Sequence, residues 1–151
     1  MNSENLKSKK PKKILFVSPF SGVFGALSQF HAPPLGVMRL AGYLNSKGHY
    51  AEYFDPNLYA CNKKGLSLEE TYEKEKWDII GFSMLDETLL EDIKNVYLAK
   101  KKCPSALLVA GGVEAQFNYQ TILDKTPCKI VISGEGEIPM LMIANDHSYN
   151  E

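Results

Sequence analysis

An open, parallel five-stranded β-sheet with helices on both faces is the fold the sequence predicts, and three observations predict it. Five short apolar runs recur along the 151 residues, each separated from the next by a segment of helical periodicity. Most of these runs are continuous rather than alternating, as suits strands buried on both faces. Glycines and small hydroxyl residues gather just after the third, fourth and fifth runs, where strand-to-helix turns would lie.

The first strand is Ile14-Leu15-Phe16-Val17. Pro34 then suits a first helical turn, Val37, Met38, Ala41 and Leu44 form an apolar stripe, and Gly48 is placed to end that helix. Ala51-Glu52-Tyr53-Phe54 alternates, which puts the second strand nearer a sheet edge. The short charged segment Leu68 to Lys76 reads as a helix, followed by the third strand, Ile79-Ile80-Gly81-Phe82. Thr88 to Lys101 is helical through Leu89, Ile93, Val96 and Leu98, and Pro104 follows it. The fourth strand is Leu107 to Ala110, with a helix from Ala115 to Leu123; the fifth is Ile130-Val131-Ile132, with a helix from Ile138 to Ala144. Strict alternation of strand and helix demands right-handed crossovers between parallel neighbours. Five strands favour the flavodoxin-like, Rossmann-like order 2-1-3-4-5. The division expected is a basic leader over 1–12, one domain over 13–145, and a polar tail or linker over 146–151, with no internal repeat.

Composition narrows the function classes. A net charge of −1 gives no overall pull toward nucleic acid or membrane. The local exception is the first thirteen residues, where Lys7, Lys9, Lys10, Lys12 and Lys13 face Glu4 alone; the leader's composition suits a solvated, disordered segment. No run approaches the ~20 apolar residues of a membrane span, and no secretory signal opens the chain. Cys61, Cys103 and Cys128 match no disulfide framework and no zinc spacing, which makes a reducing cytoplasm the expected setting.

Ligands of open parallel sheets bind beyond the carboxyl ends of the strands. Those positions hold Ser18 to Gly25 after strand one, Asp55-Pro56-Asn57 after strand two and Ser83 to Thr88 after strand three. Gly111-Gly112-Val113-Glu114 follows strand four, and Ser133 to Glu137 follows strand five. Two glycines ending a buried strand give up packing and entropy, so either a strained turn or a body lying against bare backbone must require them. Ordinary tight turns with capping residues such as Ser133 would serve equally for any one of these connections. A dinucleotide fingerprint is absent, since only Gly22-x-x-Gly25 follows strand one, and so is a P-loop. A phosphoacceptor site lacks its acidic residues after strand one and its lysine after strand five. Ser18, Ser21 and Gly22 leave a foothold for a flavin phosphate loop. No catalytic or metal-ligating constellation emerges. His31 is the histidine placed at the ligand edge, while Glu135 and Glu137 read either as an acid–base pair or as partners of a helix dipole.

Taken together, PPLGVMRLAGYLNSKGH (33–49), DIIGFSMLDET (78–88), LLVAGGVEA (107–115) and VISGEGEIP (131–139) resemble the N-terminal cobalamin-binding domain of B12-dependent radical S-adenosylmethionine enzymes. The resemblance spans about residues 12 to 145 and implies a cobalamin-binding module that holds the corrin at the strand carboxyl ends, its nucleotide tail beside the sheet. It carries cofactor contacts onto Ser18, Phe20, Ser21, Gly22, Ser83, Met84, Leu85, Gly111, Gly112, Val113, Glu114, Gly134, Glu135 and Gly136. Ser83 would hydrogen-bond the tail, and Gly111 and Gly112 would let it pass bare backbone. Other B12 domains carry D-x-H-x-x-G after strand one, and nothing from Ser18 to Gly25 supplies that Asp or His. Cobalamin bound base-off, without a histidine lower ligand, is therefore expected. The C-x-x-x-C-x-x-C motif of the radical domain is also missing. The expectation is a module that is not catalytic alone, the amino-terminal part of a radical methyltransferase. The C-terminal radical domain of such a parent would bring a [4Fe-4S] cluster and S-adenosylmethionine. An FMN-binding electron-transfer protein and a cofactor-free interaction domain are the alternatives.

Overall fold

The computed structural model describes residues 10–20 and 32–146. The strands are β1 (Lys13–Val17), β2 (Tyr50–Phe54), β3 (Ile79–Ser83), β4 (Leu107–Gly111) and β5 (Ile130–Val131). They form one parallel sheet in the order β2-β1-β3-β4-β5. The helices are α1 (Leu35–Ser46), α2 (Pro56–Asn62), α3 (Leu68–Glu73), α4 (Leu89–Lys102), α5 (Val113–Lys125) and α6 (Glu137–Ala144). The expected order and the expected edge position of β2 are both found.

Continuous apolar strands divide their side chains between two cores because successive residues face opposite sides of the sheet. Ile14, Phe16, Ile79 and Val109 pack with Val37, Ala41 and Leu44 of α1 and Met140, Leu141 and Ile143 of α6. Leu15, Val17, Ile80, Phe82, Leu108 and Ala110 pack on the other face with Tyr72, Val96, Ala99, Ala115 and Ile122 of α3, α4 and α5. Gly48 ends α1 with φ 92°, as its position in the sequence suggests. Acidic Glu91 and Asp92 open α4 and Lys100, Lys101 and Lys102 close it, matching the helix dipole. At the outer edge of the sheet, Asn45 turns its amide onto β2. Its Nδ2 donates to the Ala51 carbonyl and its Oδ1 accepts from the Ala51 N–H, each at 2.8 Å.

Several boundaries differ from the sequence reading. After β2, where the sequence reading assigns no element, the chain forms α2: Asp55 caps it, accepting from the N–H groups of Asn57 and Leu58 at 2.9 and 3.3 Å, and Pro56 fills its first position. Pro34 is the residue before α1 rather than in its first turn. A capping box between Ser67 and Glu70 starts α3, which stops at Glu73 instead of Lys76. The chain folds back there to bury Trp77, whose indole N–H donates to the Thr71 carbonyl at 2.9 Å. Gly111 belongs to β4, and α5 begins directly behind Gly112. β5 keeps two ladder residues, with Ile132 buried just beyond them.

Among the described residues no helix is long and apolar enough to cross a membrane. No group of three or more His, Cys, Asp or Glu side chains there could hold a metal ion. Residues 1–9 of the basic leader, Ser21, Gly22 and His31 of the loop after β1, and residues 147–151 of the tail lie outside the described residues.

Candidate functional site

A parallel doubly wound sheet leaves a crevice where neighbouring connections leave in opposite directions. Here the crossover through α1 covers one face of the sheet and that through α4 covers the other. The resulting cavity of about 200 Å³ opens at the carboxyl edge, on the α1 and α6 face. Phe16, Gly81, Ser83, Val109, Gly111, Gly112 and Ile132 line it from the sheet side. Gly36, Val37, Arg39 and Leu40 of α1 close one flank, and Gly134, Glu135, Gly136, Glu137 and Met140 close the other.

Each glycine has its own reason to be there. Gly112 has φ 92° and ψ −179°, a region essentially reserved for glycine. A Cβ on it would stand 2.7 and 2.8 Å from the Met84 carbonyl oxygen and nitrogen. Both Met84 groups are already engaged, its N–H donating to Gly111 O and its carbonyl accepting from Glu114 N–H. Gly112 is therefore required by the fold itself. Gly111 differs: a Cβ there would find only the Ile132 carbonyl oxygen, 3.9 Å away, so its bare backbone leaves space rather than relieving strain. Gly134 has φ 86° with open space around it. Gly136 lets α1 approach, since a Cβ would lie 3.1 Å from Leu40 Cδ2.

Polar groups sit around the mouth and apolar ones below. Ser83 is half-buried, and its hydroxyl makes no hydrogen bond with another described residue. Arg39 spans the mouth from α1, its Nε 2.5 Å from Glu137 Oε1 and its NH1 3.6 Å from Glu135 Oε2. Glu137 also stands in the first turn of α6, where the helix dipole favours it; both carboxylates are thus ion-paired with Arg39. Ser133 is exposed and does not cap α6, which begins behind Gly136 without a side-chain cap.

Of the residues singled out by sequence, Ser83, Gly111, Gly112, Gly134, Glu135 and Gly136 come together around this cavity. Ser18 and Phe20 lie outside it: the buried Ser18 hydroxyl donates to Asp55 Oδ1 at 3.5 Å, and the Phe20 N–H donates to Asp92 Oδ1 at 3.0 Å. Met84 packs in the opposite core, Leu85 precedes the 3-10 turn at Asp86–Thr88, and Val113 is exposed. Glu114 is buried and accepts from the Asn118 side-chain amide. Two features escape sequence reasoning. Phe16 lies across Gly81, where a Cβ would come within 2.7 Å of its ring; a glycine inside a buried strand is the signal for such an approach. Asp92, inside a charged helix segment, is buried beneath the start of the loop after β1. Its Oδ2 accepts from Thr88 Oγ1 at 2.5 Å. Burial pushes its carboxyl up to about 6, against hydrogen bonds from Thr88, Phe20 and Leu85 that pull it down. His49, the one histidine among the described residues, lies at the opposite, amino edge, where its Nδ1 accepts from Lys12 N–H at 3.2 Å and burial lowers its pKa.

A family model described as "B12 binding domain" matches residues 22–144. Over 133 residues the chain is 30% identical to anaerobic magnesium-protoporphyrin IX monomethyl ester cyclase of Rubrivivax gelatinosus, covering 85% of this chain and 23% of that protein. It is 27% identical to the enzyme of the same name from Cereibacter sphaeroides, covering 83% of this chain and 20% of that one. The chain thus spans about a quarter or less of the length of these curated relatives. Among solved structures, the radical S-adenosylmethionine methyltransferase TsrM from Kitasatospora setae, with cobalamin and a [4Fe-4S] cluster bound, superposes with a TM-score of 0.70 at 16% identity. That match covers 89% of this chain and 26% of TsrM. The cobalamin-dependent S-adenosylmethionine radical enzyme OxsB, with aqua-cobalamin and S-adenosylmethionine bound, matches with a TM-score of 0.66 at 16% identity. It covers 97% of this chain and 20% of OxsB.

Proposed function

The chain belongs to the B12-binding domain family, and from that premise we propose that it holds cobalamin at the carboxyl edge of its sheet, serving a larger radical S-adenosylmethionine enzyme. The observation that carries the reading is the cavity beside Gly111: bare, unstrained backbone faces an apolar recess, with the unengaged Ser83 hydroxyl at its mouth. Such a recess with few polar groups suits one apolar arm of a larger cofactor. Gly111 leaves room, Ser83 offers a donor and an acceptor, and Gly134 and Gly136 keep side chains out of the opposite wall. Gly112 contributes by shaping the turn. Ser18, Phe20, Met84 and Glu114 support the edge through the contacts described above, and Ser21, Gly22, Leu85 and Val113 complete the proposed contacts. When bound, the cofactor supplies cobalt chemistry, carriage of a methyl group or an electron, while the protein supplies binding and orientation.

The same reading includes base-off binding without a histidine lower ligand, which is supported by the absence of D-x-H-x-x-G after strand one and by the place of His49, the one histidine among the described residues, at the amino edge of the sheet. The [4Fe-4S] cluster and S-adenosylmethionine would be held by a radical domain, to which this module presents its cofactor for methyl transfer. A second reading of that larger activity has an observation behind it. The curated relatives at 27% and 30% identity are cyclases, which favours a cyclase over a methyltransferase.

The experiment is a titration of the chain with hydroxocobalamin, followed by gel filtration and an absorption spectrum, for the parent chain and for His31→Ala. Near-stoichiometric co-elution with a base-off spectrum, unchanged by His31→Ala, is expected. Binding of FMN in place of the corrinoid would favour the flavin alternative, and indifference to both would favour a cofactor-free interaction domain. A spectrum that changes in His31→Ala would assign that histidine to cobalt.

A further inference from the structure

The edge strand β2 carries a surface that the corrinoid reading does not use. Its ladder bonds run from Tyr50 N–H to Lys12 O and from Ser18 N–H to Phe54 O. Tyr50, Glu52 and Phe54 therefore turn their main-chain groups toward β1, while Ala51 and Tyr53 turn theirs outward. Asn45 occupies both groups of Ala51. The N–H and C=O of Tyr53 have no partner among the described residues. One donor and one acceptor thus stand open on the rim of the sheet, just past the Asn45 amide.

A groove of about 330 Å³ lies beside that position, between β2, α2 and the end of α3. Ala51 packs in the α1 core and Phe54 against the opposite one. Side chains alternate along a strand, so Glu52 and Phe54 floor the groove and the Tyr53 ring lies on the other face. Tyr59 forms a wall, and Leu58 and Leu66 stand at the rim, 49% and 46% exposed. The volume exceeds the ~150 Å³ that admits a benzene molecule, which leaves room for a large apolar side chain. The charges around it do not cancel. Glu52 is paired with Lys74, and the Asp55 carboxylate is engaged in capping α2. Lys63, its ammonium 5.2 Å from the centre of the Tyr59 ring, and Lys64 form no ion pair among the described residues.

Open main-chain groups at a sheet edge, an apolar recess beside them and unpaired lysines next to it are the parts of one recognition mode, strand addition by an extended peptide. We propose that this rim binds an extended, acidic peptide segment of a partner protein, carrying one large apolar residue. One residue of the segment exchanges N–H and C=O bonds with Tyr53. Its side chain lies over the Tyr53 face, so the next residue points into the groove. That residue is the apolar one, and carboxylates beyond it meet Lys63 and Lys64. Because Asn45 fills the preceding position, the segment is clipped at Tyr53 and does not run along the whole strand.

The test is fluorescence anisotropy of the full chain with a labelled heptapeptide, Glu-Thr-Val-Leu-Val-Glu-Glu. Three forms are compared: the plain peptide, one N-methylated at both valines, and one with lysine in place of each glutamate. The plain peptide should bind, and N-methylation should weaken it roughly 5-fold, the loss of one hydrogen bond. Lys64→Glu should weaken it roughly 2- to 5-fold and should reverse the preference between the acidic and the lysine peptide. Tyr53→Pro removes the outward N–H without touching the ladder to β1, a place where an edge strand tolerates proline, and should match the effect of N-methylation. If Tyr53→Pro does not fold, the N-methylated peptide alone decides that point. No binding of the plain peptide up to about 1 mM overturns the proposal. So does equal binding of the N-methylated form or of the lysine form. Competition between peptide and hydroxocobalamin would place the peptide at the other cavity and overturn it as well, whereas failure of hydroxocobalamin alone to bind would sink the corrinoid reading and leave this one standing.

Discussion

Three glycines at one sheet edge should respond to the same substitution in three different ways. In Gly112→Ala the backbone keeps a conformation that costs a non-glycine residue about 1–3 kcal/mol. The new Cβ would also meet Met84 O at 2.7 Å and Met84 N at 2.8 Å. These atoms hold the Gly111 and Glu114 hydrogen bonds, so relieving the clash weakens two bonds of about 1 kcal/mol each. The expected total is about 3–5 kcal/mol, a large share of the roughly 5–15 kcal/mol of a typical domain. Gly134→Ala carries backbone strain without a clash and should cost about 1–2 kcal/mol. Gly111→Ala meets nothing closer than 3.9 Å and has no left-handed φ, so it should be neutral or stabilising by up to about 1 kcal/mol through the unfolded chain. Urea denaturation of the three variants reads these values directly. Gly111→Leu, whose side chain would enter the recess, then separates stability from binding: it should stay folded and lose hydroxocobalamin. A cost under about 1 kcal/mol for Gly112→Ala, or a Gly111→Ala as destabilised as Gly112→Ala, would refute these separate roles.

Asp92→Asn tests the buried carboxyl. A folded-state pKa raised from 3.8 to about 6 favours the native state most fully below pH ~4, and that contribution is lost as pH rises through about 6. Each pKa unit is about 1.4 kcal/mol, so the stability of Asp92→Asn relative to the parent chain should rise by up to about 3 kcal/mol between pH 4 and 7. Chemical denaturation at both pH values checks it, and a pH-independent difference would contradict the assignment. Trp77→Phe removes the indole donor to Thr71 and leaves a void in the α3 and α4 core. It should cost about 2–4 kcal/mol in the same assay, and a loss below about 1 kcal/mol would show that the bond is not buried in solution.

Strands buried on both faces announce themselves, since Ile14 to Val17 and Leu107 to Ala110 have no polar side to disguise them. The element order and the sheet topology were legible for that reason. α2 was not, because seven residues make only about two turns, too few for a periodic stripe to show. Only the Asp55-Pro56 cap announced it. At the site, the glycine clusters were visible but their individual reasons were not. Whether a glycine is needed for strain, as at Gly112, or for space, as at Gly111, depends on the backbone of a neighbouring strand far away in sequence. The pairing of Arg39 with Glu135 and Glu137, and the lie of Phe16 over Gly81, are likewise contacts between distant segments. No local pattern records them.

The amide of Asn45 reaches further than the turn it sits in. A primary amide is the smallest imitation of a peptide group, and Asn45 shows Ala51 the same donor and acceptor that an incoming strand would bring. Parallel sheets invite extension at their free edges. Here the first position on offer is already taken by the chain's own side chain. A second molecule seeking to zip onto β2 would have to evict two 2.8 Å hydrogen bonds before making its own. At that position the edge of β2 is closed by chemical termination, a side chain standing where a sixth strand would pair.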